Sequence, residues 1–160
     1  MGLYQALREG LVACNKEGVV PESIGIDTWG VDVVPIAEDG SILSMPRAYR
    51  DPYTVGMPEK YFEKISKEVV YDKTGIQIMN FNTLYQIFAS METGYVPMKE
   101  AKYLLFMPDA LAYMLTGEKV CEYTISSTSQ ILDPRTKDFD KELLEAAGVD
   151  ASVFTKPVMP

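Results

Sequence analysis

The stretch Ser23–Asp32, with the sequence SIGIDTWGVD, constrains the fold of this chain more than any other. Its apolar start, SIGI, is typical of a strand that is buried on both faces of a parallel sheet. Polar residues follow the strand at once, and open α/β sheets hold their ligands at this carboxyl end. Gly30 has no Cβ, so a ligand or another backbone can approach the chain closely there. The stretch therefore predicts a buried strand that ends at a binding site.

A purely structural interpretation of the same stretch stays open. In that interpretation the polar residues cap the strand end and Trp29, the single tryptophan, fills the core. A second apolar run, Val33–Ala37, comes next and stops at the turn signal Glu38-Asp39-Gly40. This run predicts a second strand.

Apolar residues at helical spacing predict most of the remaining elements. The expected helices cover residues 3–16, 58–71, 84–92, 109–117 and 138–147. The apolar run 102–107 suits another buried strand, and the hydroxyl-rich residues 122–130 favour a capped helix start followed by a turn. The alternation of helices with apolar strands indicates an α/β protein.

Neutral amides surround an aromatic residue in the segment Gly75–Gln86, GIQIMNFNTLYQ. Amides both donate to and accept from hydroxyl groups, and an aromatic ring can cover the apolar C–H face of a sugar. Phe81 and Asn82 are therefore candidate sugar contacts, although Asn82 is also a candidate N-cap for the next helix. Upstream, Tyr49-Arg50-Asp51 is either a surface ion pair beside a packed tyrosine or part of a pocket wall.

Charge and composition exclude several classes of function. The formal net charge of −8 argues against nucleic acid as a partner, because phosphates require a basic surface. No apolar run approaches the ~20 residues of a membrane span. The absence of histidine excludes catalysis by Ser-His-Asp or Cys-His groups. Cys14 and Cys121 are far apart and in no paired motif, which favours reduced thiols in a cytoplasmic protein over a disulfide.

The run GIDTWGVD and the blocks that follow it resemble the rhamnulokinase branch of the FGGY carbohydrate kinases. The resemblance covers roughly residues 10–160, and its further blocks are Pro46–Asp51, Thr74–Gln77, Phe81–Gln86, Met107–Asp109, Leu115–Gly117, Glu122–Thr124 and Ser127–Gln130. It implies an α/β fold with a mixed sheet flanked by helices, as in the N-terminal lobe of actin-like, ribonuclease-H-like sugar kinases. Residues 1–160 would then be part of the sugar-binding domain.

The activity that this resemblance implies is transfer of the ATP γ-phosphoryl group to the 1-hydroxyl of L-rhamnulose, with Mg²⁺, in rhamnose catabolism. Gly30 matches the family's sugar contact, and Trp29, Val31 and Asp32 surround it. Tyr49, Phe81 and Asn82 are further candidates for substrate binding.

The resemblance also implies parts that we do not find in the sequence. We expect the first phosphate-binding strands, the catalytic aspartate and the second lobe to lie outside residues 1–160. Neither Asp27 nor Asp32 is therefore assigned as a general base, and no catalytic, ATP-binding or metal-binding residue is assigned. We expect this chain alone to bind neither ATP nor Mg²⁺ and to be inactive. Two alternatives stay open: a non-catalytic sugar-binding or interaction module, and an incomplete product without an independent role.

An uncovered sheet edge is a further expectation, because a lobe without its first strands exposes unpaired backbone and apolar side chains. Such a chain is expected to self-associate or to be marginally stable.

Overall fold

The computed structural model describes residues 2–160. Its helices are α1 (Gly2–Lys16), α2 (Met57–Tyr61), α3 (Lys67–Thr74), α4 (Thr83–Glu92), α5 (Val96–Lys99), α6 (Met107–Thr116), α7 (Tyr123–Ser126) and α8 (Lys141–Ala147). The strands are β1 (Val33–Ile36), β2 (Tyr103–Phe106), β3 (Leu132–Asp133) and β4 (Asp138–Phe139), and Pro52–Thr54 and Ala151–Val153 form 3₁₀ turns. None of the helices in this part of the chain is both long and apolar enough to cross a membrane.

Strands β1 and β2 form the central ladder, and they confirm the predicted apolar strands at 33–37 and 102–107. They pair antiparallel, with Val33 opposite Phe106 and Ile36 opposite Tyr103. On the other side of β1, the Leu43 amide donates to the Pro35 carbonyl at 3.0 Å. All four residues of β1 are buried. Strands with uninterrupted apolar sequence are stable only when both faces are covered, and here helices cover them.

Helix α4 crosses the middle of the core, and its residues Thr83–Ser90 are all buried. Its Phe88 packs edge-on against Tyr61 with ring centroids 5.3 Å apart. The Tyr61 hydroxyl donates to the Leu143 carbonyl at 2.8 Å, which ties α2 to α8 across α4. Because α4 is buried on nearly all sides, the side chains of its first turn are held in fixed positions.

Three predicted boundaries require correction. The predicted helix 58–71 is two helices, because Ser66 breaks the run and its hydroxyl accepts from the Val69 amide to begin α3. The predicted helix 138–147 begins only at Lys141, because Asp140 caps it through the Leu143 amide. Asp138–Phe139 instead forms β4 with Leu132–Asp133.

The predicted buried strand at Ser23–Ile26 is wrong. The segment is not part of a sheet, and within residues 2–160 the backbone groups of residues 20–29 make no hydrogen bond to other backbone groups. Ile24 is 51% exposed. An apolar segment becomes a buried strand only where neighbouring strands satisfy its N–H and C=O groups, and the described residues place none beside it. Helix α1 forms as predicted, but none of its residues is buried.

Candidate functional site

The turn Gly30–Asp32 contains one of the three non-glycine residues with a positive φ in residues 2–160, the others being Gln130 and Lys137. The Asp32 amide donates to the Gly30 carbonyl at 3.0 Å and closes a three-residue turn around Val31. Val31 has a φ of 70°, which is rare for a β-branched residue. Backbone strain of this kind persists only where the surroundings enforce it, and it is concentrated at functional sites.

Two side chains from the first turn of α4 enforce that conformation. The Thr83 hydroxyl donates to the Val31 carbonyl at 2.7 Å. The side-chain amide of Gln86 donates to the same carbonyl at 3.2 Å. Because Thr83 and Gln86 are three residues apart on one helix, they lie on the same face and hold the turn together.

Asp32 places a buried carboxylate at this turn, with only 2% of the residue exposed. The Trp29 indole N–H donates to Oδ2 at 2.8 Å, and the Gln86 amide donates to Oδ1 at 3.1 Å. The Tyr49 backbone amide also lies near this carboxylate. Burial raises the pKa of Asp32 above its usual range, although the Trp29, Gln86 and Tyr49 groups act in the opposite direction, and the nearby charge of Asp51 raises it further.

Aromatic rings that are open to solvent border this carboxylate. Tyr49 and Phe81 meet edge to face, with centroids 5.6 Å apart, and each is partly exposed. Trp29 is 38% exposed. Arg50 donates to the Tyr49 hydroxyl at 2.9 Å, and no ion pair joins Arg50 to Asp51 in the described part of the chain. The predicted ion pair is therefore not formed in the described residues, and the role of Tyr49 in a pocket wall stays a prediction. We call the rings of Trp29, Tyr49 and Phe81 the aromatic wall.

Gly30 lies beside this wall, and its neighbour is a side chain of the protein. A Cβ on Gly30 would lie 2.7 Å from the Thr128 hydroxyl oxygen and 3.3 Å from the Thr128 Cβ. The structure therefore explains the glycine by close packing against the hydroxyl-rich segment. That segment forms the predicted capped helix, because the Glu122 carboxylate accepts from the Thr124 and Ile125 amides at the start of α7.

Asn82 follows Phe81 in the chain, and its side-chain amide already donates two hydrogen bonds to other groups of the protein. Its Nδ2 donates to the Gln77 carbonyl at 2.9 Å and to Gln130 Oε1 at 2.8 Å. Asn82 is the N-cap residue of α4, as predicted, but its side chain makes no capping hydrogen bond. These contacts give Asn82 a structural role, and its role in sugar binding stays a prediction.

Gln86 is the site residue that the sequence interpretation missed. Besides Val31 and Asp32, its amide donates to the Phe81 carbonyl at 2.8 Å, and its oxygen accepts from the Tyr53 hydroxyl at 2.6 Å. The available signal was a long polar side chain within the otherwise apolar run TLYQIFAS. A buried polar group requires partners, so this residue marked a hydrogen-bonded cluster.

Two cavities adjoin the extended segment, and Trp29 lines the first of them. One, of about 630 Å³, separates Ile24–Trp29 from α1. The other, of about 520 Å³, separates the segment from α6 and α7 and includes Asp27, Asp109 and Glu122. Burial raises the pKa of Asp109 to about 7, although the Glu122 amide donates to it at 3.3 Å.

The sequence comparisons decide the family. A model of the N-terminal domain of the FGGY family of carbohydrate kinases matches residues 3–159. The chain belongs to the FGGY family. Rhamnulokinase from Bacteroides thetaiotaomicron is 48% identical over 158 residues, which is 99% of this chain and 33% of that protein. Rhamnulokinase from Yersinia pestis is 42% identical over the same shares of both chains. The chain thus spans about a third of the length of these FGGY relatives.

Solved structures of other carbohydrate kinases confirm the predicted fold. The ligand-bound xylulose kinase of Lactobacillus acidophilus superposes with a TM-score of 0.79 at 16% identity, covering 98% of this chain and 32% of that one. Plasmodium falciparum glycerol kinase with ADP gives 0.76 at 19% identity, with the same coverage. The predicted α/β class, as an N-terminal part of an actin-like sugar kinase fold, is therefore confirmed.

ATP and Mg²⁺ are the co-substrate and metal that membership of the FGGY family implies, and the described residues do not fit them. Within residues 2–160, no group of three or more acidic or cysteine side chains is placed to hold a metal ion. The sequence contains neither G-x-x-x-x-G-K-[ST] nor G-x-G-x-x-G as a phosphate-binding loop.

Proposed function

We propose that this chain forms one wall of the ketose site in a kinase that phosphorylates L-rhamnulose at its 1-hydroxyl. The observation that carries the proposal is the buried Asp32 carboxylate, held in place beside the partly exposed rings of Trp29, Tyr49 and Phe81. The identity of the sugar is inferred from two relatives that are named rhamnulokinase and are 48% and 42% identical over nearly the whole chain.

In this proposal Asp32 accepts a hydrogen bond from a sugar hydroxyl. A carboxylate offers about four acceptor positions, and the donors Trp29 and Gln86 occupy two of them. In this proposal the substrate hydroxyl uses another. Phe81 and Tyr49 cover the apolar C–H face of the sugar, as aromatic rings do in carbohydrate sites. The contacts fix the orientation of the ketose and leave proton transfer to other groups.

The proposal treats residues 1–160 as part of the sugar-binding domain, without the phosphate-binding strands and the second lobe. ATP and Mg²⁺ would be held by other parts of the complete enzyme. We therefore expect no turnover by this chain alone. Asp32, the buried carboxylate at the wall, already accepts hydrogen bonds from Trp29 and Gln86, and the nearby Asp51 is exposed.

Isothermal titration calorimetry with L-rhamnulose tests the sugar-binding part. We expect L-rhamnulose to bind more tightly than xylulose or glycerol, and Phe81→Ala to weaken binding about fivefold through loss of roughly 1 kcal/mol of ring contact. Phe62→Ala is the matched control, because Phe62 is also a partly buried aromatic residue but packs against Tyr61 in the core. Equal affinity in wild type and Phe81→Ala would contradict the proposal.

A sugar-binding module without catalysis is the second candidate, because the contacts of the aromatic wall all lie within residues 29–86. A chimera separates the two. Residues 3–159 replace the matching part of the Bacteroides thetaiotaomicron rhamnulokinase, and ATP-dependent phosphorylation of L-rhamnulose is measured. If residues 3–159 are part of a kinase, the chimera phosphorylates L-rhamnulose. A chimera that binds the sugar without phosphorylating it supports the module.

We also propose that the isolated chain self-associates through the extended segment. The support is the unpaired backbone of residues 20–29 and the exposed side chains of Val20 and Ile24, at 76% and 51%. Light scattering should show species larger than 17.9 kDa, and Ile24→Lys should return the monomer because a charge blocks strand pairing. A monomeric wild type would contradict this.

We also propose a cytoplasmic location, because Cys14 and Cys121 are unpaired.

A further inference from the structure

We infer that Gln86 is the positioning residue of the ketose site: its side-chain amide fixes both the Val31 turn and the Asp32 carboxylate. The inference rests on the proposed function, since it assigns a role to Gln86 within the same site. Gln86 does not meet the sugar in this assignment. It acts through the groups that do.

The amide of Gln86 connects three separate segments of the chain. Its nitrogen lies 3.2 Å from the Val31 carbonyl, 3.1 Å from Asp32 Oδ1 and 2.8 Å from the Phe81 carbonyl. Only two hydrogens serve these three acceptors, so they are shared among them. The turn, the carboxylate and the aromatic segment are therefore held by one group.

The orientation of this amide is itself determined. Its oxygen accepts from the Tyr53 hydroxyl at 2.6 Å, so its nitrogen faces the three acceptors. Tyr53 is held in turn by Arg47, whose guanidinium carbon lies 3.4 Å from the Tyr53 ring centroid. Arg47 also lies 5.2 Å from the Tyr95 ring. A chain of contacts thus runs from Arg47 through Tyr53 and Gln86 to Asp32.

Neither an acidic nor an apolar side chain meets both requirements of this position. Glutamate would present a second oxygen where three acceptors need a donor. Leucine would leave the partly buried Tyr53 hydroxyl without its acceptor and would remove the Gln86 donor from Asp32. The strained Val31 turn would keep only the Thr83 hydroxyl. Loss of the amide should therefore change the carboxylate and not merely the core packing.

Trp29 provides a direct readout, because it is the single tryptophan and its indole donates to Asp32. Titration of Asp32 should change Trp29 fluorescence, and Asp32→Asn should abolish that transition. The other groups that face Asp32 are the Tyr49 amide, the Tyr53 hydroxyl and the Asp51 carboxylate. Gln86→Leu removes a donor to the ionised form, so the midpoint should rise, by on the order of one pH unit.

The experiment compares Gln86→Leu with Gln130→Leu in the 160-residue chain. Gln130 is equally buried and also hydrogen-bonded through its amide, but to Ile76 and Asn82 instead of Asp32. Both variants should lose stability. Only Gln86→Leu should raise the midpoint of Trp29 fluorescence and weaken L-rhamnulose binding about tenfold. Tyr53→Phe removes the hydrogen bond that orients the Gln86 amide but keeps the amide itself. It should therefore also raise the midpoint, but less than Gln86→Leu does.

The outcomes separate the inference from the proposed function. An unchanged midpoint in both Gln86→Leu and Tyr53→Phe overturns the inference, even where wild type binds the ketose. If Gln86→Leu does not fold, Tyr53→Phe alone decides. A wild-type chain that binds no ketose overturns the proposed function, whatever the midpoints are.

Discussion

Two regions of this molecule have sequences of similar apolar character and very different environments. The surface segment, residues 2–29, includes helix α1 without a buried residue and ten residues without backbone hydrogen bonds to other backbone groups. The core region, residues 31–154, contains a continuous cluster that extends from Val33 to Phe154. Apolar pattern alone therefore does not determine burial. The presence of partners for the backbone and for the apolar face does.

The candidate site is located where these two regions meet. The surface segment contributes Trp29, and the core region contributes Asp32, Phe81 and Gln86. Besides the Trp29 hydrogen bond, the Tyr4 hydroxyl joins α1 to the Met114 carbonyl at 3.0 Å. A site built on such a boundary is rigid on one side and adjustable on the other, which suits a wall that closes on a ligand.

The two cysteines test the comparison with the largest expected effect, because one lies in each region. Cys14 is exposed on α1, whereas Cys121 is buried and its pKa is raised to about 11 by burial. A thiol reagent at pH 8 should modify Cys14 quickly. Cys121 should react on the order of 10³ times more slowly, since it reacts only after the core opens. Mass spectrometry of quenched samples measures both rates. Similar rates would show that the core region is not stably closed.

Truncation of apolar side chains gives the next largest difference. Phe88→Ala should destabilise the chain by about 3–5 kcal/mol, because it leaves a cavity beside Tyr61 in the core. Leu3→Ala in α1 should change stability by less than ~0.5 kcal/mol, because Leu3 is 51% exposed. Urea denaturation measures both values. A large loss in Leu3→Ala would mean that α1 is part of the cooperative core.

Gly30 tests the boundary between the regions. Gly30→Ala should destabilise the chain by about 1–2 kcal/mol, because the new Cβ would overlap the Thr128 hydroxyl at 2.7 Å. Thr128→Ala should recover part of that loss in a double-mutant cycle. Additive effects of the two changes would show that Gly30 and Thr128 do not contact each other in solution.

The pH dependence of Asp109 isolates one buried carboxyl group, and its sign is fixed by the direction of the pKa change. Its folded pKa is about 7 against an ordinary value of 3.8, so the folded state binds a proton more tightly. The contribution of Asp109 to stability should therefore fall as pH rises from about 4 to 7 and then level off. Asp109→Asn should consequently stabilise the chain at pH 8 relative to pH 4. Thermal unfolding at the two pH values measures this, and a gain at pH 4 alone would contradict it.

Much of the fold follows from the sequence, and the exceptions have physical causes. Helices α4 and α6 and strand β2 have clear periodicity and end signals, such as Gly117 after α6. The apolar run at Ser23–Ile26 predicts a strand just as clearly. Whether a strand is buried, however, depends on neighbouring strands, and the local sequence does not show whether these are present. The break at Ser66 was readable as an N-cap, although the apolar periodicity across it suggested one helix.

The candidate site was only partly predictable. Trp29 contacts Asp32 and Tyr49 contacts Phe81, whereas Asn82 uses its amide in the core. The substrate-binding roles that the resemblance implied for these residues stay predictions. The positive φ of Val31 could not be predicted, because β-branched residues disfavour that conformation and the sequence has no local signal for it. Gln86 was missed because its partners come from three segments that meet only in the folded chain.

The central claim is that the ketose binds at the Gly30–Asp32 turn, and NMR chemical-shift mapping of the 17.9 kDa chain tests it most directly. On titration with L-rhamnulose, the amides of Gly30, Val31, Asp32, Tyr49 and Phe81 should shift together, along with the single indole N–H of Trp29. Shifts confined to α1 and Ile24–Thr28, around the two cavities, or no shifts at saturating ketose, would contradict the account.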